Sequence, residues 1–209
     1  MFPAKDQPEN QTEGQMSRYF RAALVLLFLA SCGGGGRYAA PRQLDNACAI
    51  LAERPQYRAA MRAAERKWGV PIWVQMAVIH QESKFIGNAQ TPHRFALGVI
   101  PMGRQSTAYG YSQALNGTWE EYQKSEGRRG AKRDDIRAAT DFMGWYFTET
   151  RAKLGIPLDN AADQYLAYHE GRSGFANQSY LGKPWLVEVA AKVGARAEMY
   201  RSQLATCRR

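Results

Sequence analysis

The stretch Val70-Pro71-Ile72-Trp73-Val74-Gln75-Met76-Ala77-Val78-Ile79-His80-Gln81-Glu82-Ser83 decides how this chain is read. Its apolar residues recur at intervals of three and four, and Pro71 suits a first helical turn, so the run reads as a helix that buries a stripe. Val74, Val78 and Glu82 are spaced four apart and share that stripe. A carboxyl at the end of a core-facing stripe loses water, and desolvation disfavours its charged form. Glu82 is therefore a candidate general acid for work near neutral pH. The competing reading is a solvated glutamate in a last helical turn.

On either side of this run the body reads as nearly all helix. Residues 44–53 and 55–68 form an opening pair broken around Pro55. A short helix covers 119–124, opened by Asn116-Gly117-Thr118, and a basic loop follows at 127–132. Asp134-Asp135 caps a long helix that stops before Gly155 and Pro157. Asp159-Asn160 opens another that ends near Tyr168, and Pro184 starts a last helix running to about residue 205. Between residues 86 and 109 the glycines and prolines Gly87, Pro92, Gly98, Pro101 and Gly103 predict a long irregular loop, with a small hairpin inside 90–110 as an alternative. Loops of that length in a compact domain are usually functional. This one carries His93, Arg94 and Arg104 among apolar residues, a mixture suited to shaping a ligand groove. No internal repeat and no strong strand signal occur.

The first residues describe export. Arg18 and Arg21 precede the apolar run of residues 22–30, followed by Ser31-Cys32 and four glycines. A basic start, a short apolar stretch and small residues make a secretory signal, too short to span a bilayer. Residues 1–15 are polar and acidic, so Met16 is a candidate true start. Residues 33–41 read as a flexible tether. The organisation expected is a signal over 1–31, a tether over 32–43 and one domain over 44–209. About 170 residues suffice for a sizeable core.

The net charge of +9 lies in the part after the signal, because Lys5, Arg18 and Arg21 there are balanced by Asp6, Glu9 and Glu13. A basic surface favours an anionic polymer or membrane. No helix-turn-helix, zinc or RNP-like signature points to nucleic acid. His80-Gln81-Glu82 matches the His-x-Glu of zinc deaminases only superficially, since their Pro-Cys-x-x-Cys partner is absent. His-Glu-x-x-His is absent too, and the three histidines are scattered, so neither a metal nor a cofactor is expected. Cys48 and Cys207 flank the domain. An oxidising compartment permits a disulfide between them, with two unrelated thiols as the alternative.

Two later segments, Tyr109-Gly110-Tyr111-Ser112-Gln113 and Ala167-Tyr168-His169-Glu170-Gly171, complete a pattern with Glu82-Ser83. In this order they resemble the catalytic domain of lytic transglycosylases, the lysozyme-like enzymes that cut peptidoglycan. The family pattern is a Glu-Ser pair, a Gly-Leu-Met-Gln-like segment, then Ala-Tyr-Asn-Ala-Gly. Here both middle residues of the second motif are replaced, and His169-Glu170 stands for Asn-Ala. The resemblance covers roughly residues 60–205. It implies a mostly α, lysozyme-like single domain with a long irregular loop at the active site.

The resemblance also implies a reaction. One glutamate protonates the MurNAc–GlcNAc β-1,4 bond and then deprotonates the C6 hydroxyl, leaving a 1,6-anhydroMurNAc end. Glu82 would carry both proton steps. Ser83 would hydrogen-bond the carboxylate or the sugar, Gln113 and Tyr111 would meet the substrate, Tyr168 would help set the protonation of Glu82, and Tyr180 is a candidate match to a further family tyrosine. Leu29-Ala30-Ser31-Cys32 resembles a lipobox, so Cys32 would be lipidated and the protein anchored in the periplasm, with Gly33 suggesting the outer membrane. Glu170 opens an alternative, since a second carboxyl with a water between would make a hydrolytic muramidase. The altered motifs leave a third reading, an inactive peptidoglycan-binding lipoprotein. Oligomeric state has no sequence signal.

Overall fold

A computed structural model describes residue 36, residues 38–96 and residues 100–207; at 94–96, 100 and 101 only the backbone is described. The signal and the proposed lipidation site Cys32 lie outside the described residues. Seven α-helices and one hairpin make up the described domain. Helices α1 (Ala47–Glu53) and α2 (Pro55–Trp68) meet at Arg54-Pro55. Then come α3 (Ile72–Ser83), strands β1 (His93–Ala96) and β2 (Ile100–Arg104), and α4 (Asn116–Ser125). The long helices α5 (Ile136–Leu154), α6 (Ala161–Ala176) and α7 (Pro184–Thr206) close the chain, with a 3-10 turn at Ser179–Gly182 before the last. The mostly α, lysozyme-like class read from sequence is the class observed. No helix of the described residues is long and apolar enough to cross a membrane.

Capping residues set these boundaries. Asn46, Asp135 and Asn160 each place a side-chain oxygen on a backbone N–H of the first turn that follows. The helix expected over 44–53 thus begins at Ala47, because Asn46 is its cap. Helix α6 runs beyond Tyr168 to Ala176, across a kink at Gly171, where φ is 74° and ψ is 158°. Those angles are open to glycine and strained for other residues. This is the local reason for the glycine that ends the Ala167–Gly171 motif.

Helix α3 is the centre of the domain. The sequence suggests one buried stripe, but Val74, Gln75, Met76, Ala77, Val78 and Ile79 are all fully buried. A helix apolar on all sides is enclosed by others, and α2, α6 and α7 all pack against α3. Gln75, fully buried, donates to Met61 O at 3.1 Å and to Val70 O at 2.8 Å. On the far side of α2 lies α5, with Asp141 accepting from Trp68 Nε1 at 2.8 Å, Tyr122 Oη at 2.6 Å and Lys67 Nζ at 3.2 Å. Burial raises the Asp141 pKa, but these hydrogen bonds more than offset it and hold the carboxyl below its usual range.

The chain ends are tied together. Cys48 and Cys207 form a disulfide with Cα atoms 5.7 Å apart. Gln203 reinforces it, accepting from Ala47 N at 2.7 Å and donating to Asp45 O at 2.9 Å. The segment expected to be tether as far as residue 43 is docked from Tyr38 onward. Tyr38 Oη donates to Asp134 at 3.0 Å, Gly87 N donates to Tyr38 O at 3.1 Å, and Pro41 is buried. An aromatic ring and a proline five residues past the glycines find apolar surface, which composition alone under-weighted.

The long connection after α3 contains the antiparallel hairpin β1-β2, with a register break between His93 and Phe95. Isolated bridges Gln90–Tyr109 and Tyr109–Ala114 fasten its base to the second motif. This is the hairpin alternative rather than an irregular loop throughout.

Candidate active site

Glu82 occupies the last turn of α3 and is only partly exposed. The helix ends abruptly after it. Lys84 and Phe85 adopt φ of 52° and 62°, two successive left-handed residues that are not glycine. Such geometry costs on the order of 1–2 kcal/mol per residue and persists only where the surroundings enforce it. Here the enforcement is visible. Phe85 is fully buried against the Tyr57 ring, centroids 5.8 Å apart. Ser83 Oγ is directed at Tyr111 O at 2.8 Å, with Ile79 O at 3.2 Å.

Ser83 is therefore a tie between the glutamate helix and the segment 110–113. Its hydroxyl proton is taken by backbone carbonyls, not by the Glu82 carboxylate. That segment is itself tightly specified. Gly110 has φ of 82°, and a Cβ there would come within 2.1 Å of Arg133 O, so no other residue fits. Gln113 is left-handed at φ 51°, and its amide nitrogen donates to Ala89 O at 2.9 Å and Gly110 O at 2.8 Å. The side chain braces the loop through that nitrogen. Ser112 is fully buried, and its Oγ has no hydrogen-bond partner among the described residues.

Tyr111 is 4 % exposed, packed edge-on to Tyr57 at 5.7 Å, with the two hydroxyls 3.1 Å apart. Its ring belongs to the core and offers no surface to a sugar, contrary to the substrate-binding role implied by its motif. Gly87 leaves room for the ring there, since a Cβ at that position would stand 2.7 Å from it.

Helix α6 brings two tyrosines to Glu82. Tyr168 lies in a cage of Phe142, Tyr146 and Phe147 and donates to Ser112 O at 2.6 Å. Burial and the nearby Glu82 charge push its pKa well up, so it remains a neutral phenol. The phenol whose hydrogen bonding lowers the Glu82 pKa is instead that of Tyr165, which is 4 % exposed. Sequence reading stopped at the Ala167–Gly171 motif and missed this residue. The signal was available, since Tyr165 is three residues before Tyr168 and shares its helix face.

The electrostatics of Glu82 follow from these neighbours. Burial raises its pKa to about 7, against the Tyr165 hydrogen bond and the Lys84 charge, which both lower it. A carboxyl poised there is protonated often enough to donate and ionised often enough to accept.

Glu170 is arranged in the opposite way. Lys183 Nζ lies 2.8 Å and 3.0 Å from its two oxygens, Ser179 Oγ bonds one of them, and His169 Nδ1 is 3.1 Å from the other. The Lys183 hydrogen bond, with that from Ser179, pulls its pKa down to about 2. Tyr180 stacks on Phe175 at 5.3 Å in the 3-10 turn beyond and is partly buried.

A cleft of about 450 Å³ between α3 and α7 is lined by His80, Gln81, Lys84, Lys192 and Arg196 and does not include Glu82. A larger one of about 980 Å³ between α2 and the start of α5 includes none of the motif residues, so size does not mark the site. No three His, Cys, Asp or Glu side chains among the described residues are grouped as a metal would require. A family model described as a transglycosylase SLT domain matches residues 20–207. No curated protein matches the chain.

Proposed function

Because this chain belongs to the transglycosylase SLT-domain family, which acts on peptidoglycan, we propose that it is a lytic transglycosylase with Glu82 as its single acid and base. The carboxyl gives its proton to the glycosidic oxygen between MurNAc C1 and GlcNAc O4. The C1–O4 bond breaks and GlcNAc leaves with a free 4-hydroxyl. The carboxylate then takes the proton of the C6 hydroxyl, and O6 bonds to C1. The product is a 1,6-anhydroMurNAc end, water is not consumed, and Glu82 is again protonated.

The observation that carries this reading is one carboxyl desolvated to a pKa of about 7 beside a phenol that stays neutral. Hydrolysis through Glu170 has less support. An inverting hydrolase needs a carboxylate free to activate a water, whereas both Glu170 oxygens are engaged by Lys183. A purely binding role leaves the unfavourable burial of Glu82 without a use. In the active reading Ser83 and Gln113 brace the segment 110–113 against the helix that carries the acid, Tyr165 orients the carboxyl, and Tyr168 fixes Ser112. Mass spectrometry of the soluble products from purified sacculi tests the reaction. Anhydro-muropeptides are expected; reducing MurNAc ends would establish the hydrolase, and intact sacculi the binding protein.

The proposed location is the periplasmic face of the outer membrane, through a lipid on Cys32. A single acyl chain holds marginally and several hold firmly. Metabolic labelling with palmitate should mark the protein, and Cys32→Ala should abolish the label. An unlabelled parent protein rules out the anchor.

A further inference from the structure

Trp185 is 55 % exposed in the first turn of α7, an uncommon position for so large an apolar ring. The ring is nevertheless seated. It meets the His169 imidazole edge-on with centroids 5.4 Å apart. The His169 and Tyr165 ring centroids are 6.4 Å apart, and Tyr165 is the phenol beside Glu82. A line of three rings thus runs from the acid to an open aromatic face.

The mount of that face is made of residues for which the Glu82 chemistry has no use. Glu170 grips Lys183 through both oxygens and Ser179 through one. Ser179 and Lys183 bracket the 3-10 turn that leads into Pro184-Trp185. Gly174 leaves room for the grip, because a Cβ there would stand 3.0 Å from both Glu170 Cβ and Ser179 Oγ. Leu181 in the 3-10 turn and Val187 in the helix that follows it are also exposed, at 62 % and 40 %. A large exposed aromatic ring held in place by its neighbours is a natural contact for a ligand with one apolar face. Nearness to the acid selects the occupant: ring contacts of 5.4 Å and 6.4 Å link the indole through His169 to Tyr165 beside Glu82, within the span of a few sugars of one strand.

We infer that Trp185 is a stacking platform for a sugar ring of the glycan strand, held in place by the His169-Glu170 pair that departs from the family motif. A pyranose presents a face of C–H groups to a flat indole and a rim of hydroxyls to the polar groups around it. Glu170 is in this view a positioning residue. The inference rests on the reading of the protein as a glycan-cleaving enzyme.

Binding and turnover together test it. Uncross-linked glycan strands are titrated into Glu82→Gln protein, which binds without cutting, with tryptophan fluorescence as the signal. Adding Trp185→Ala should weaken binding about tenfold, and adding Trp185→Phe, which keeps a flat ring, should restore most of it. In the otherwise unaltered enzyme Trp185→Ala should raise KM by about the same factor while kcat falls less than about threefold. Glu170→Gln should raise KM in the same direction by a smaller factor, a split that a general loss of fold would not give. Binding and KM within about twofold of the parent for Trp185→Ala overturn the platform. Strand binding that depends on Trp185, in a parent enzyme that releases no anhydro-muropeptides from sacculi, supports the platform and overturns the proposed reaction instead.

Discussion

Glu82 and Glu170 sit on helices that pack against each other, and both fall inside segments that resemble one family's catalytic motifs. Their surroundings drive them apart. Glu82 is largely withdrawn from water, is lowered only by the Tyr165 phenol and the Lys84 charge, and its pKa rises to about 7. Glu170 is gripped by a lysine ammonium and a serine hydroxyl, and its pKa falls to about 2. One carboxyl can exchange a proton at neutral pH; the other is a fixed anion that organises a turn. Identical chemistry thus serves catalysis in one place and architecture in another, and the neighbours alone decide which.

The largest effect that separates the two should come from Glu82→Gln. The amide nearly keeps the shape but has no acidic proton, and loss of a general acid costs about 10²–10⁴-fold in rate. Release of anhydro-muropeptides from sacculi measures it. A variant with near-parental turnover would remove Glu82 from the mechanism and dissolve the contrast with Glu170.

The same substitution should stabilise the fold at alkaline pH. The folded pKa of Glu82 lies above its ordinary value, so ionising it costs stability, fully above about pH 7 and not at all below about pH 4.5. From the shift between 4.5 and about 7, Glu82→Gln should gain up to about 3 kcal/mol at pH 8 and nothing at pH 4. Urea denaturation at the two pH values reads the difference. Equal effects at both would mean that the carboxyl is solvated in the folded protein.

Tyr165→Phe sharpens the comparison from the side of the neighbour. It removes the hydrogen bond that lowers the Glu82 pKa, so the alkaline limb of the kcat/KM profile should move to higher pH. The rate at its optimum should fall by about tenfold as the carboxyl loses its orientation. An unmoved alkaline limb would assign that limb to another group.

Glu170→Gln should give the smallest change in chemistry, with kcat within about threefold of the parent and the same anhydro product. Its effect should appear in stability. The Glu170 pKa is depressed in the folded state, so its contribution is present above about pH 4.5 and is lost as pH falls through about 2. The Tm difference between parent and variant should therefore shrink over that range. A kcat loss matching that of Glu82→Gln would revive the hydrolase reading.

Much of this protein is legible without coordinates. Helix periods, the caps Asn160 and Asp135, Pro55, Gly155 and Pro184 are local signals, and they delimit helices within a few residues because each acts over a single turn. Glu82 is legible as a candidate acid because its stripe position follows from spacing of four. The motif glycines Gly110 and Gly171 are legible as fixed points, since only glycine suits their backbone.

What only the tertiary structure decided are the relations between elements. Tyr165 is the phenol that lowers the Glu82 pKa, whereas the Tyr168 hydroxyl is spent on Ser112 O. Tyr111 faces the core because its ring packs against Tyr57 over the bare backbone of Gly87. Glu170 is an anchor because a lysine thirteen residues further along returns to it across a 3-10 turn. A pKa depends on distance through space and on excluded water, and neither quantity is written in sequence order. The sequence by itself determined which groups are present and which helices carry them; the packing of those helices determined which carboxyl can give up a proton.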